Sequence, residues 1–120
     1  MVIIMHMTLN EHIERAKELH KSGYNCAQSV LMAFAGETGV TPEISARIGA
    51  GLGAGASCGE ICGVITGINI CMGLRGDSDP KSKIPAMKRS KSLITQFESN
   101  NGFLRCKDLK GKAGGNPAMN

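Results

Sequence analysis

Ser57-Cys58-Gly59-Glu60-Ile61-Cys62-Gly63-Val64-Ile65-Thr66-Gly67 is the stretch on which the reading of this chain turns, and from Ile61 it runs to Leu74 without a charged residue. Ser57 followed three residues later by Glu60 has the form of a capping box, which predicts a helix with Cys58 in its first turn. Cys62, at i+4, then shares a face with Cys58. Two thiols at the positive end of a helix dipole stand where thiolates are favoured. Gly59, Gly63 and Gly67 recur every four residues, and each costs a helix about 1 kcal/mol relative to alanine. Such a stripe calls for a compensating neighbour, either another helix or a cofactor lying directly on the backbone. Asn69 is nearly the only polar side chain past Thr66, so this Cys58–Leu74 helix is expected at the centre of the fold.

Outward from it the pattern is helical almost throughout. Thr8-Leu9-Asn10-Glu11 forms another capping box, followed by Leu9, Ile13, Ala16 and His20 at helical spacing, with Gly23 as the stop. Asn25 caps a second helix carrying Cys26, Val30, Ala33 and Phe34 on one side and closing near Gly36 or Gly39. Thr41-Pro42 opens a third, with Ile44, Ile48 and Leu52 as its stripe. The alternation of glycine with small residues from Gly49 to Gly55 predicts a tight turn that brings backbone close to the Cys58 helix. After the polar turn from Gly76 to Pro80, Pro85 opens a fifth helix with Met87, Ser90, Ile94 and Phe97 inward. A short segment, Phe103 to Leu109, follows a break at Asn100–Gly102. No β-alternation of useful length is present. The expected fold is all-α, a compact bundle of about five helices in one domain, with residues 1–7 and 111–120 frayed at its ends.

Composition narrows the function. The chain has 120 residues, a charged fraction of 20%, a hydrophobic fraction of 42% and a net charge of +4. With one Tyr, three Phe and no Trp, little is available to stack on bases, which argues against nucleic-acid binding. Val2–Ile4 is too short for a signal-peptide core, and Ile61–Leu74 is too short for a membrane span. An odd count of five cysteines fits a reducing compartment better than a disulfide scaffold, so a cytoplasmic location is expected. The glycines around residue 51 lack the Lys-Ser or Lys-Thr of a phosphate loop, and nothing suggests a serine triad. His6, His12 and His20 show no clear ligand spacing. The cations Lys81, Lys83, Lys88, Arg89 and Lys91 read as a solvated face.

The cysteines differ in position. Cys26 lies in the first turn behind the Asn25 cap, where a thiol pKa is lowered. Cys58 and Cys62, on one helix face, have α-carbons about 6 Å apart, inside the disulfide range. Cys71, nine residues past Cys62, points about half a turn away and reads as core filler. Cys106 sits between Arg105 and Lys107, whose charges favour a thiolate. For each, packing as a small hydrophobe is the competing reading.

At these residues the chain resembles the family named for its C_GCAxxG_C_C cysteine pattern, to which a redox role is ascribed. The matching pieces are Gly23-Tyr24-Asn25-Cys26-Ala27-Gln28-Ser29-Val30-Leu31, the glycine-rich stretch before Cys58, Cys62-Gly63-Val64-Ile65-Thr66-Gly67 and Cys106-Lys107-Asp108-Leu109-Lys110-Gly111. The resemblance spans about residues 10–111. Val64 replaces the family's usual alanine. The family's last cysteine lies near a C-terminal helix that this chain does not reach before Asn120, and Cys58 is the natural substitute. A related domain in split-Soret cytochromes makes an iron–sulfur site conceivable on this fold.

Three functional classes stay open at this point. A thiol redox protein would use Cys26, Cys58, Cys62 and Cys106 for disulfide exchange or electron transfer with a protein redox partner. A binding module would hold zinc or an iron–sulfur cluster on the same four thiols, with Gly59, Gly63 and Gly67 against the cofactor. A scaffold or accessory protein would merely pack them. Without a final covering helix, apolar surface on the Met87–Phe97 or Cys26–Phe34 helices is expected to be buried in a homodimer. Neither nucleic acid nor insertion into a membrane is expected.

Overall fold

A computed structural model describes residues 8–112, and every regular element among them is helical. In chain order the α-helices are α1 (Leu9–Lys21), α2 (Cys26–Ala33), the single turn α3 (Ala35–Thr38), α4 (Pro42–Gly49), α5 (Gly63–Leu74), α6 (Lys83–Asn101) and α7 (Cys106–Lys112). The all-α expectation holds. Residues 1–7 and 113–120, with His6 among them, lie outside the described residues, whereas Gly111 and Lys112, expected to fray, close α7.

The helix starts follow the sequence closely where a side chain can reach its own first turn. Thr8 accepts from the Glu11 N–H (3.1 Å) while its own N–H donates to the Glu11 carboxylate (3.0 Å). Asn25 and Gln28 repeat that reciprocal box at α2, at 2.8 and 3.0 Å. Thr41 caps α4, and Gly39 and Gly102 end their helices in the left-handed conformation that glycine tolerates. Pro85 stands inside the first turn of α6, where its missing N–H costs nothing.

The centre of the bundle is α2, which packs against α1, α4 and α5; α5 was expected there and instead lies between α2 and α6. Close approach of backbones explains the difference. A Cβ on Gly49 of α4 would fall 2.9 Å from the Gln28 nitrogen, and one on Gly67 of α5 would fall 3.0 Å from the Val30 Cβ. Small residues on α4 and α5 thus let both helices sit on the α2 main chain. Asn25 strengthens the α2–α4 seam by donating its side-chain amide to the Gly49 and Ala50 carbonyls (3.2 Å each), and Gln28 donates to Ala46 (2.9 Å).

That backbone packing rotates several expected stripes. In α4 the buried residues are Ser45 and Gly49, while Ile44 and Ile48 are partly exposed. In α1 they are His12 and Leu19, while Leu9 and Ile13 face outward. His12 is no free ligand: it stacks on Phe34 with ring centroids 4.2 Å apart, and its Nδ1 lies 2.9 Å from the Ala33 carbonyl. The core divides into two clusters, one of Val30, Leu31 and Cys71, the other of Cys62, Ile65 and Leu109 under Leu93, Ile94 and Phe97. Cys71 is core filler, as its spacing predicts. Met87, expected inward on α6, is 67% exposed.

Candidate functional site

Between α4 and α5 the chain makes the expected tight turn, which runs on to Ser57 in a left-handed conformation. Ala54, Gly55, Ala56 and Ser57 run consecutively at positive φ, from 52° to 64°. For the three non-glycine residues this costs roughly 1–2 kcal/mol each. The turn is held by the Ala56 N–H on the Leu52 carbonyl (3.2 Å), the Glu60 N–H on the Gly55 carbonyl (3.0 Å) and the Ser57 hydroxyl on the Gly51 carbonyl (3.0 Å).

Ser57 and Glu60 therefore form no capping box, and the expected helix from Cys58 begins instead at Gly63, with Cys62 as its N-cap. The backbone between them is engaged elsewhere. Ile61 and Arg105 form an antiparallel bridge, in which the Cys62 N–H donates to Leu104 (2.9 Å) and the Cys106 N–H donates to Glu60 (2.7 Å). Groups tied across a bridge cannot also make a first helical turn. The Glu60 side chain, expected as a cap, takes both forks of the Arg105 guanidinium at 3.0 Å each. Both side chains are about half exposed, so this ion pair fixes geometry more than it stabilises.

This arrangement brings together the backbone segments that carry three of the four expected thiols. Gly63, next to Cys62, lies so close to Ala27, next to Cys26, that an added Cβ would sit 3.1 Å from the Ala27 nitrogen. The bridge then runs the segment that carries Cys106 alongside the one that carries Cys62. Each of the three cysteines stands at the start of a helix: Cys26 opens α2, Cys62 caps α5 and Cys106 opens α7. Cys62 and Cys106 are 4% and 2% exposed, and Cys26 is half-buried. Cys58 does not share a face with Cys62. It projects from the turn, exposed, with its thiol toward the Gly55 carbonyl at 3.4 Å.

At Cys26 and Cys62, helix start and burial pull in opposite directions, and burial wins. Desolvation pushes Cys26 up to about 11, helped by the neighbouring Cys62 and Cys106 and opposed by Lys110. Its first-turn position, expected to favour the thiolate, does not prevail. Burial also raises Cys62, against the Val64 and Ile65 N–H groups, which lie near its sulfur without completing a capping hydrogen bond.

The glycines expected against a cofactor have protein neighbours. Gly63 and Gly67 meet α2 at Ala27 and Val30, and Gly59 faces the Lys107 side chain. Among the described residues, no three His, Cys, Asp or Glu side chains are arranged to hold a metal ion. Cys58 lies exposed on the left-handed turn and not in the helix it was expected to share with Cys62.

The family model described as "Putative redox-active protein (C_GCAxxG_C_C)" matches residues 24–120. The chain belongs to the C_GCAxxG_C_C family. No curated protein and no solved structure matches it. Within the C_GCAxxG_C_C pattern, the structure gives roles to residues the cysteine count passes over. Asn25 and Gln28 anchor the Cys26 helix to α4, a role announced by their capping-box spacing. The Glu60–Arg105 pair, 45 residues apart, carries no local signal that sequence could have shown. No helix among the described residues is long and apolar enough to cross a membrane.

The buried thiols make the fold sensitive to alkali. Cys26 and Cys71 are both pushed from 9.0 to about 11, so the folded chain keeps protons that the unfolded chain releases near pH 9. That stability is full below about pH 9 and is lost as pH rises through 11. Thermal unfolding followed by circular dichroism should show a midpoint falling across this window, less steeply in Cys71→Ala. A midpoint constant across it would show that the thiols ionise alike in both states.

Proposed function

We propose that this chain is a thiol redox protein in which Cys58 is the thiol that meets the substrate, a disulfide on a partner protein, and ends in a disulfide with one of Cys26, Cys62 and Cys106. The gathering of three cysteines at three helix starts carries the reading, and the family's redox description supports it. Packing alone would not require thiols from three distant segments to converge beside one another.

Exposure supports the division of labour. Cys58 is exposed, while Cys62 and Cys106 are buried and Cys26 holds its proton tightly. The Cys58 thiolate attacks one sulfur of the incoming disulfide, forming a mixed disulfide and releasing the other half as a thiolate. A second cysteine of the cluster, after losing its proton, attacks the Cys58 sulfur and expels the remaining half. Two protein thiols become one disulfide, and one substrate disulfide becomes two thiols. Movement of the 54–60 turn brings Cys58 to its resolving partner.

Differential alkylation and peptide mass mapping after equilibration with reduced and oxidised glutathione test this. The expected result is an intramolecular disulfide within Cys26, Cys58, Cys62 and Cys106 at intermediate ratios, with Cys71 unchanged. Cysteines that keep one state across the whole range would overturn the reading.

A further inference from the structure

We infer that the groove between the C-terminal end of α5 and the N-terminal half of α6 is a docking site for an acidic amphipathic helix of a partner protein. The inference stands apart from the thiol chemistry, which lies at the opposite end of α5.

The groove arises because α6 is held at one end only. Leu93, Ile94 and Phe97 pack on the Ile65–Leu109 cluster, whereas no residue of α6 is fully buried and its first half stands clear. A groove of about 280 Å³ opens there, with Met72, Ala86 and Met87 among its lining and Lys83 and Arg89 at its edge. It continues into a second hollow of about 370 Å³, where Arg75 joins Met72 and Arg89. Ile84, 54% exposed, adds apolar surface on the same half of α6.

Charge selects the occupant. Residues 75–91 hold six cations, Arg75, Lys81, Lys83, Lys88, Arg89 and Lys91, against Asp77 and Asp79. Six minus two gives +4, which equals the net charge of the entire chain, 14 minus 10. Asp77 and Asp79 are turned into their own loop, accepting from Ser82, Asp79 and Lys81 main-chain and hydroxyl groups. None of the six cations has an ion-pair partner among the described residues. An apolar floor between cationic edges matches a helix with an apolar ridge flanked by Asp and Glu. A second copy of this chain would oppose like charge to like. A bilayer surface is flat on this scale and cannot reach the half-buried Met72 and Ala86 in the floor.

The test uses the full chain and a synthetic helical peptide with leucines at i, i+4 and i+7 between glutamates, followed by fluorescence anisotropy and amide chemical shifts. Saturable binding is expected, with shifts centred on Met72, Gly73, Ala86 and Met87. Affinity should fall by about tenfold from low to physiological salt, and by at least about tenfold in the K83E/R89E variant. Met87→Gln should weaken it by about fivefold. A peptide of the same composition without an apolar face should bind more weakly. Shifts elsewhere, indifference to charge reversal, equal binding of the faceless peptide, or absence of saturation would each overturn the inference. So would a preference for mixed phosphatidylcholine–phosphatidylserine vesicles over the peptide. The shift map on the unaltered chain decides the matter even if a variant unfolds.

Discussion

Gly55→Val is expected to destabilise the fold by at least about 3 kcal/mol and to scatter the cysteine cluster. Gly55 lies at φ +62°, a conformation that a β-branched residue almost never adopts. A Cβ there would also fall on the main chain of Glu60, which cannot give way like a flexible side chain. Glu60 in turn accepts from the Cys106 N–H and holds Arg105. One substitution thus strikes the turn, the bridge and the clip together. Chemical denaturation should show the loss, and Cys62 and Cys106 should become open to alkylation. Gly36→Ala is the contrasting case. It sits in a helical turn with nothing within 4 Å of an added Cβ, so it should be neutral or stabilise by about 0.5 kcal/mol. Equal effects from the two would mean that the left-handed turn does not position the site.

A large loss of function is also expected from Cys62→Ala. Cys62 is the one member whose neighbours are fixed on both sides, by Gly63 against Ala27 and by the bridge to Cys106. Its removal should reduce intramolecular disulfide formation from oxidised glutathione by at least about tenfold while costing only about 1 kcal/mol of stability. Cys71→Ala should leave disulfide formation intact, since Cys71 packs with Val30 and Leu31. Non-reducing mass analysis of both variants reads the difference directly. Undiminished disulfide formation in Cys62→Ala would assign the couple to other thiols.

Helix starts were legible in this chain because a cap is a conversation between neighbours: Thr8 with Glu11, Asn25 with Gln28, Thr41 with Ile44. The stripes of α1 and α4 were less so. Hydrophobic periodicity favours Ile44 and Ile48, but the seam with α2 is decided by Gly49, which has no side chain to register on any scale. At the site, the glycine content of residues 49–55 announces a turn, and the convergence of Cys62 with Cys26 follows from the Gly63–Ala27 apposition. The Ser57–Glu60 spacing misleads because a cap is only offered by sequence. Here the Ile61–Arg105 bridge and the left-handed turn take the same groups, and that competition involves residues more than forty positions away.

Cys26, Cys62 and Cys106 lie 36 and 44 positions apart in the chain, and each opens a different helix. During synthesis, α1, α2 and α4 can associate before α7 has emerged, but the site cannot exist until residue 106 docks on residue 60. Until then the thiols remain strangers in a growing polypeptide, accessible to whatever oxidant is at hand. On the proposed function, completion of the site is therefore a late event in biogenesis. A proteolytic nick anywhere between α5 and α7 that frees the latter would erase the site while leaving the α2-centred helices together.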